Sequence, residues 1–365
     1  NRASNPRRRH AAGAGAAAPR LPGHAFRQQA HEGLHCRFGP RGCQAAEGRQ
    51  WRAAGAAATI GSMTKPAPPP SEPEFSGPER EELALLVDRA LAEDGPDRTS
   101  AALIPAGLAL AGTIVARGGC ILAGLPAAAE VAARCGAAFA ARCRDGDEVA
   151  PNGAVADLAG SARAVLRCER VLLNFLGRLS GIATLTRRYA RALHPTPVFD
   201  TRKTTPGWRR LEKYAVRAGG GRNHRLGLDD QFLVKDNHLA ALAAAGGARP
   251  LHELVAAMRA AAPGLAIEIE VENEDDFRAA VLAGADIVML DNWTTDAMRA
   301  ALAWLDTRGA RRVRIEISGG VTLARAPELA GLGADRVSVG ALTHAAVWCD
   351  FALEVAPAGA TGRGL

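Results

Sequence analysis

From Pro197 onward short apolar runs end at near-regular intervals, and that rhythm constrains the fold more than any other feature of the chain. Strand-like runs end at Phe199-Asp200, Leu233-Val234-Lys235, Glu268-Ile269-Glu270, Met289-Leu290-Asp291, Ile315-Glu316-Ile317-Ser318 and Val337-Ser338-Val339-Gly340. Stretches of helical character at 274–282, 295–305 and 323–332 lie between them. Glu270 to Asp291 spans 21 residues, Asp291 to Glu316 spans 25, and Glu316 to Ser338 spans 22. Repeated βα units of that length build a parallel sheet, and six or seven in succession favour a barrel over an open sheet.

The preceding hundred residues follow another pattern. Leu83, Leu86, Val87, Ala90 and Leu91 share one face of a helix over 79–93, which Asp94-Gly95-Pro96-Asp97 stops. Strand-like runs at 112–117 and 120–124, a helix at 126–135, a strand near 157–166 and a long helix at 169–193 predict a compact α+β domain. Aromatic content is only 4%, so both cores must be built from Ala, Leu and Val. No run of 18 apolar residues occurs, and no segment reads as a membrane span.

The net charge of +7 would suggest a nucleic-acid partner if it were spread over the folded part. Instead residues 1–62 hold 10 Arg and no Lys against Glu32 and Glu47, and the remainder holds 35 basic and 36 acidic residues. Residues 1–62 lack apolar periodicity and read as sequence upstream of a natural start at Met63; Lys65-Pro66-Ala67-Pro68-Pro69-Pro70 reads as a flexible lead-in. The seven cysteines form no CxxC pair, which suggests free thiols in a reducing, cytoplasmic setting. The predicted division is an extension and linker at 1–74, disordered, then an α+β sandwich at 75–180, a barrel at 181–345 and a tail at 346–365.

Chemistry concentrates at the barrel strand ends. In Ala266-Ile267-Glu268-Ile269-Glu270-Val271-Glu272 the apolar residues share one face and the three carboxylates the other. Helices cover the outside of a βα barrel, so these carboxylates must face its interior, where cations or a metal can balance them; internal ion pairing is the plainer alternative. Asp291 ends the next strand and, with Glu270, could hold Mg²⁺. Ser318-Gly319-Gly320 and Gly340-Ala341 end the last two strands, where small residues let amides approach a phosphate. Thr201-Arg202-Lys203, Asn223-His224-Arg225 and Lys235 bring cations to the earlier strand ends, and cations converging on one mouth imply a polyanionic occupant.

These residues carry a family resemblance. Asp200-Thr201-Arg202-Lys203-Thr204-Thr205-Pro206-Gly207, Glu212-Lys213-Tyr214-Ala215-Val216, Gly219 to Arg225 and Val234-Lys235-Asp236-Asn237-His238 resemble the central motifs of quinolinate phosphoribosyltransferase (nicotinate-nucleotide pyrophosphorylase, carboxylating). Glu169-Arg170-Val171-Leu172-Leu173-Asn174 and Leu179-Ser180-Gly181-Ile182-Ala183-Thr184 upstream, and Leu290-Asp291-Asn292, Ser318-Gly319-Gly320 and Val339-Gly340-Ala341-Leu342-Thr343-His344 downstream, complete a match over about 78–355.

The resemblance implies an α/β sandwich followed by an incomplete, seven-stranded α/β barrel, in a homodimer whose sandwich domain closes the partner's barrel mouth. The tail would return to the sandwich domain. The reaction implied is quinolinate plus phosphoribosyl pyrophosphate giving nicotinate mononucleotide, pyrophosphate and CO₂ with Mg²⁺. Arg170 from the partner, Arg202, His224 and Arg225 would bind the two carboxylates, with Thr201 and His344 also at the site. Lys203 and Lys235, with Mg²⁺ near Glu270 and Asp291, would stabilise the leaving group, and Ser318, Gly319, Gly320, Gly340 and Ala341 the 5-phosphate. A molybdenum-operon homologue acting on another base is the nearest rival. A Schiff-base lyase through Lys203 or Lys235 would need a dry, depressed lysine, which the crowd of anion-binding groups argues against.

Overall fold

A computed structural model describes residues 73–308 and 313–355. The expectations for the extension, and for the tail beyond 355, lie outside the described residues. Helix α1 (Gly77–Asp94) begins with a reciprocal cap: the Glu79 amide donates to the Ser76 hydroxyl, and the Ser76 amide donates to the Glu79 carboxylate. Its buried face carries Leu83 and Val87. There follow α2 (Arg98–Leu103), β1 (Ala109–Ala116), β2 (Cys120–Ile121), α3 (Leu125–Cys135), β3 (Ala138–Ala141), β4 (Glu148–Val149), β5 (Gly153–Ser161) and α4 (Ala162–Ala192).

Helix α4 begins seven residues before the sequence pattern suggests, because Ser161 caps it by accepting the Ala164 amide. Along its 31 residues it buries Val165, Leu172, Leu176, Leu179 and Ile182. It packs against α3 and the antiparallel sheet and, chiefly through α5, against the second half of the chain.

The second half runs β6 (Val198–Phe199), α5 (Arg209–Ala218), β7 (Phe232–Val234), α6 (Asp236–Ala244), α7 (Leu251–Ala261), β8 (Ile267–Val271), α8 (Glu274–Leu282) and β9 (Ile287–Asp291). It continues through α9 (Thr295–Asp306), β10 (Arg314–Ser318), α10 (Ala326–Leu329), β11 (Arg336–Ser338), α11 (Ala341–His344) and β12 (Phe351–Val355). Strand β12 pairs antiparallel with β1, so the antiparallel sheet has the order β12-β1-β5-β3. Strands β2 and β4 form a separate two-stranded ribbon. To reach β12 the chain crosses α4 at two glycines: a Cβ on Gly177 would lie 2.8 Å from the Cys349 carbonyl oxygen, and one on Gly181 would collide with Val347.

Six parallel strands form the other sheet, in the order β6-β11-β10-β9-β8-β7. It is curled. Arg336 on β11 and Glu268 on β8 are three strands apart, roughly 14 Å in a flat sheet at about 4.8 Å per strand, yet their side chains meet at 3.1 Å. The seventh strand implied by the resemblance is reduced to one bridge, Phe199 to Arg222. Beyond it the Asp200 carboxylate takes over from the backbone ladder, accepting the His224 amide at 2.8 Å and the Asn223 side-chain amide at 2.7 Å. The segment bends into a loop there, and the pairing stays open between Arg222 and β7.

Candidate active site

The C-terminal ends of the six strands surround a cavity of about 390 Å³. Its lining includes Thr201, Arg202, Lys203, His224, Arg225, Lys235, Glu270, Asp291 and Ser318, nine positions singled out in the sequence. Seven of them come from a strand end or the residues just after it, where a βα barrel collects its functional groups, and His224 and Arg225 follow the single bridge at Arg222. Lys203 lies across Gly340: a Cβ there would stand 2.8 Å from its Cδ, so a larger residue would push the side chain away. The Thr343 hydroxyl donates to the Lys203 carbonyl at 2.7 Å and fixes the same loop from α11.

The cations are crowded. Burial first, then the charge of Arg202, pushes Arg225 below the usual arginine range. Arg202 Nε is buried and has no partner among the described residues. Both features are relieved by an anion that accepts from the two guanidinium groups. At the opposite side Lys235 is ion-paired to Glu270, and Asp291 accepts the Asn292 side-chain amide at 2.7 Å.

Below this mouth lies a buried polar floor that sequence reasoning largely missed. Glu268 and Glu316 are fully buried, and Arg336 bridges them, through Nε to Glu316 and through Nη2 to both Glu268 oxygens at 3.1 Å. His224 Nε2 lies 3.2 Å from Glu268 and 3.5 Å from Glu316. Burial opposes a charge on His224, and its hydrogen bonds to the two carboxylates favour one; on their own these would place its pKa at about 9. The Arg225 amide, which points at Nδ1 from 2.7 Å, opposes the second proton. Burial, then repulsion from Glu316, raises Glu268 above the usual carboxylate range. His224, Glu268 and Glu316 have donor atoms close enough to surround a metal ion, but the guanidinium of Arg336 already supplies the cation there. The signal for Glu316 was present: it alternates with Ile315 and Ile317 as Glu268 does with its neighbours.

Six candidates do not line the cavity. Arg170 is exposed on α4, away from the cavity lining of its own chain. Gly319, Gly320, Gly340, Ala341 and His344 are likewise not among the lining residues. Gly319 and Gly320 have φ of 79° and 57°, and Gly319 packs so closely on Asn292 that no side chain fits. Their visible role is to turn the chain after Ser318. Glu272, the third carboxylate of its strand, falls beyond the end of β8 and is exposed, so it does not share the interior with Glu268 and Glu270.

Two family models match the chain: the quinolinate phosphoribosyl transferase N-terminal domain over residues 97–180, and the C-terminal domain over 182–354. The chain is 39% identical over 278 residues to the nicotinate-nucleotide pyrophosphorylase (carboxylating) of Mycobacterium leprae, covering 74% of this chain and 95% of that protein. The structure resembles NadC from Streptococcus pyogenes, with a TM-score of 0.70, 37% identity and coverage of 76% and 97% of the two chains. It likewise resembles the nicotinate-nucleotide pyrophosphorylase of Francisella tularensis, with a TM-score of 0.69, 33% identity and coverage of 76% and 96%.

Proposed function

The chain belongs to the quinolinate phosphoribosyltransferase family, and from that premise we propose how its cavity performs the reaction. The protein transfers the phosphoribosyl group of phosphoribosyl pyrophosphate to quinolinate, a step of NAD biosynthesis that releases pyrophosphate and CO₂. One observation carries the assignment of residues. A single cavity presents Arg202, Lys203, Arg225 and Lys235 with only Glu270, Asp291 and Glu316 opposing them.

Quinolinate brings two carboxylates on adjacent ring carbons. Arg202 and Arg225 bind them as guanidinium forks, and the partner subunit's Arg170 closes the site from above. Held in this way, the ring nitrogen faces the anomeric carbon of the second substrate. As the bond to pyrophosphate breaks, negative charge grows on the leaving oxygens, and Lys203 and Lys235 lie on the cavity wall to receive it. Positive charge grows on the ribose, which Glu270 and Asp291 stabilise. Once nitrogen is bonded to ribose, the pyridinium takes the electron pair left at C2 when CO₂ departs, and water returns a proton to that carbon.

Two hard carboxylates on neighbouring strands suit Mg²⁺, which takes one or two such ligands and completes its shell with phosphate oxygens and water. Glu270 and Asp291 would hold it, and bound there it would neutralise pyrophosphate charge. The assay is incubation with both substrates and Mg²⁺, following nicotinate mononucleotide and CO₂. Product should form and should disappear with EDTA. A folded protein that gives none with quinolinate, but reacts with another base, would overturn the assignment of quinolinate.

A further inference from the structure

His224 has only two ring nitrogens, and the protein uses both. Nδ1 accepts the Arg225 main-chain N–H at 2.7 Å, and Nε2 faces Glu268 at 3.2 Å. The contacts then close on themselves. Glu268 accepts from the Gln231 side-chain amide, and the Gln231 carbonyl accepts from the Arg225 guanidinium at 3.2 Å. Arg225 therefore enters the same circuit twice, once by its main chain and once by its side chain. The main chain of His224 is pinned as well: its N–H donates to Asp200 at 2.8 Å, and its carbonyl accepts from Lys213 Nζ at 3.0 Å.

We propose that His224 is a positioning residue, which holds Arg225 in place to receive a carboxylate of the pyridine substrate and does not itself ligate that substrate. The inference rests on the reaction assigned above, and it reverses the role that the sequence motif suggests for this histidine. The charged groups facing the ring are Glu268 of β8, Glu316 of β10, Arg336 of β11 and the adjacent Arg225. One proton, on Nε2, serves the two carboxylates and leaves the Nδ1 lone pair for Arg225, while Arg336 Nη2, 3.4 Å from Nε2, donates to Glu268 instead. A second proton would set two N–H groups against each other. The ring lines the cavity with both of its nitrogens already engaged by the protein.

Three proteins test this: the wild type, His224→Ala and His224→Asn. Asparagine can place Oδ1 where Nδ1 stands and so keep the acceptor for the Arg225 amide; alanine cannot. In His224→Ala the KM for quinolinate should rise about tenfold or more, the scale of a hydrogen bond serving a charged group. Its kcat and its KM for phosphoribosyl pyrophosphate should change by less than about threefold on the same scale. His224→Asn should recover most of the loss. The wild-type quinolinate KM, divided by that of His224→Asn, should stay flat from about pH 6 to about 10, whereas an imidazolium ligand with a pKa of about 9 would lose its charge within that range.

Asparagine no better than alanine, or a wild-type KM that climbs through one ionisation absent from the asparagine variant, overturns the proposal. Should His224→Ala fail to fold, the pH comparison between the other two decides the matter. Calorimetric dissociation constants for quinolinate carry the same comparison without turnover. A wild type that binds quinolinate but gives no product would therefore count against the reaction and not against the positioning role.

Discussion

Lys235 stands 35 positions from Glu270 in sequence and in ion-pair contact with it in space. The side chain of Lys235 remains 40% exposed at the mouth, whereas that of Glu270 is 11% exposed. Removing the ammonium leaves a largely buried carboxylate unpaired and, on the proposed mechanism, strips a cation from the leaving-group side. For Lys235→Met we expect kcat to fall about a hundredfold or more, as for the loss of one preorganised electrostatic donor. For Arg202→Gln the loss should appear chiefly as a higher KM for quinolinate. Steady-state kinetics on the two variants checks the division, and an unchanged kcat in Lys235→Met would remove the lysine from the chemical step. At this scale the sequence was readable where a residue lies at a strand end, as Asp291 does, or next to it, as Glu270 does. It was opaque one layer deeper. Arg336 begins β11 beside Asp335 and looks like a surface residue in sequence, yet it bridges two buried glutamates. Nothing local distinguishes those settings, because strand curvature decides them.

Elements were legible to the extent that their ends are marked by local chemistry. The barrel strands β8 to β10 fall where apolar runs meet carboxylates, and α8 spans the residues that its spacing predicts. The seventh strand failed because a side chain, Asp200, supplies the hydrogen bonds that a ladder would have supplied. No periodicity records that exchange. The crossing over α4 was hidden for a related reason: Gly177 and Gly181 read as poor helix residues until the chain lying on them is seen. Gly181→Ala should thus destabilise the protein by about 1–3 kcal/mol, the usual range for overpacking, although alanine is the better helix former by up to about 1 kcal/mol. Gly107→Ala, with open space around its Cβ, serves as the control. Urea unfolding measures both; equal stability of the two variants would mean that the crossing segment yields without cost.

At the scale of the whole molecule, the role proposed for Arg170 requires a second subunit, because the residue does not line the cavity of its own chain. It is exposed on α4, outside the lining of its own chain's site, yet it falls within the segment that matches the family's N-terminal domain. A second copy placing its α4 over the mouth reconciles the two facts, and one chain's sequence could signal this only through resemblance, since no contact within the chain records it. The consequence is genetic as well as structural. Arg170→Ala and Lys203→Ala should each be inactive alone, for different reasons: one lacks the donated arginine, the other the lysine in the receiving barrel. In a mixed dimer one of the two sites combines an intact barrel with an intact arginine, and the other carries both defects. Equal mixing with random exchange makes half the dimers mixed, so activity should return to about a quarter of the wild-type level per subunit. Differently tagged subunits, purified in tandem, would verify exchange and raise the recovery to about a half. Confirmed mixed dimers without activity would mean that each chain completes its own site, and Arg170 would then have to act from its position on α4 within one subunit.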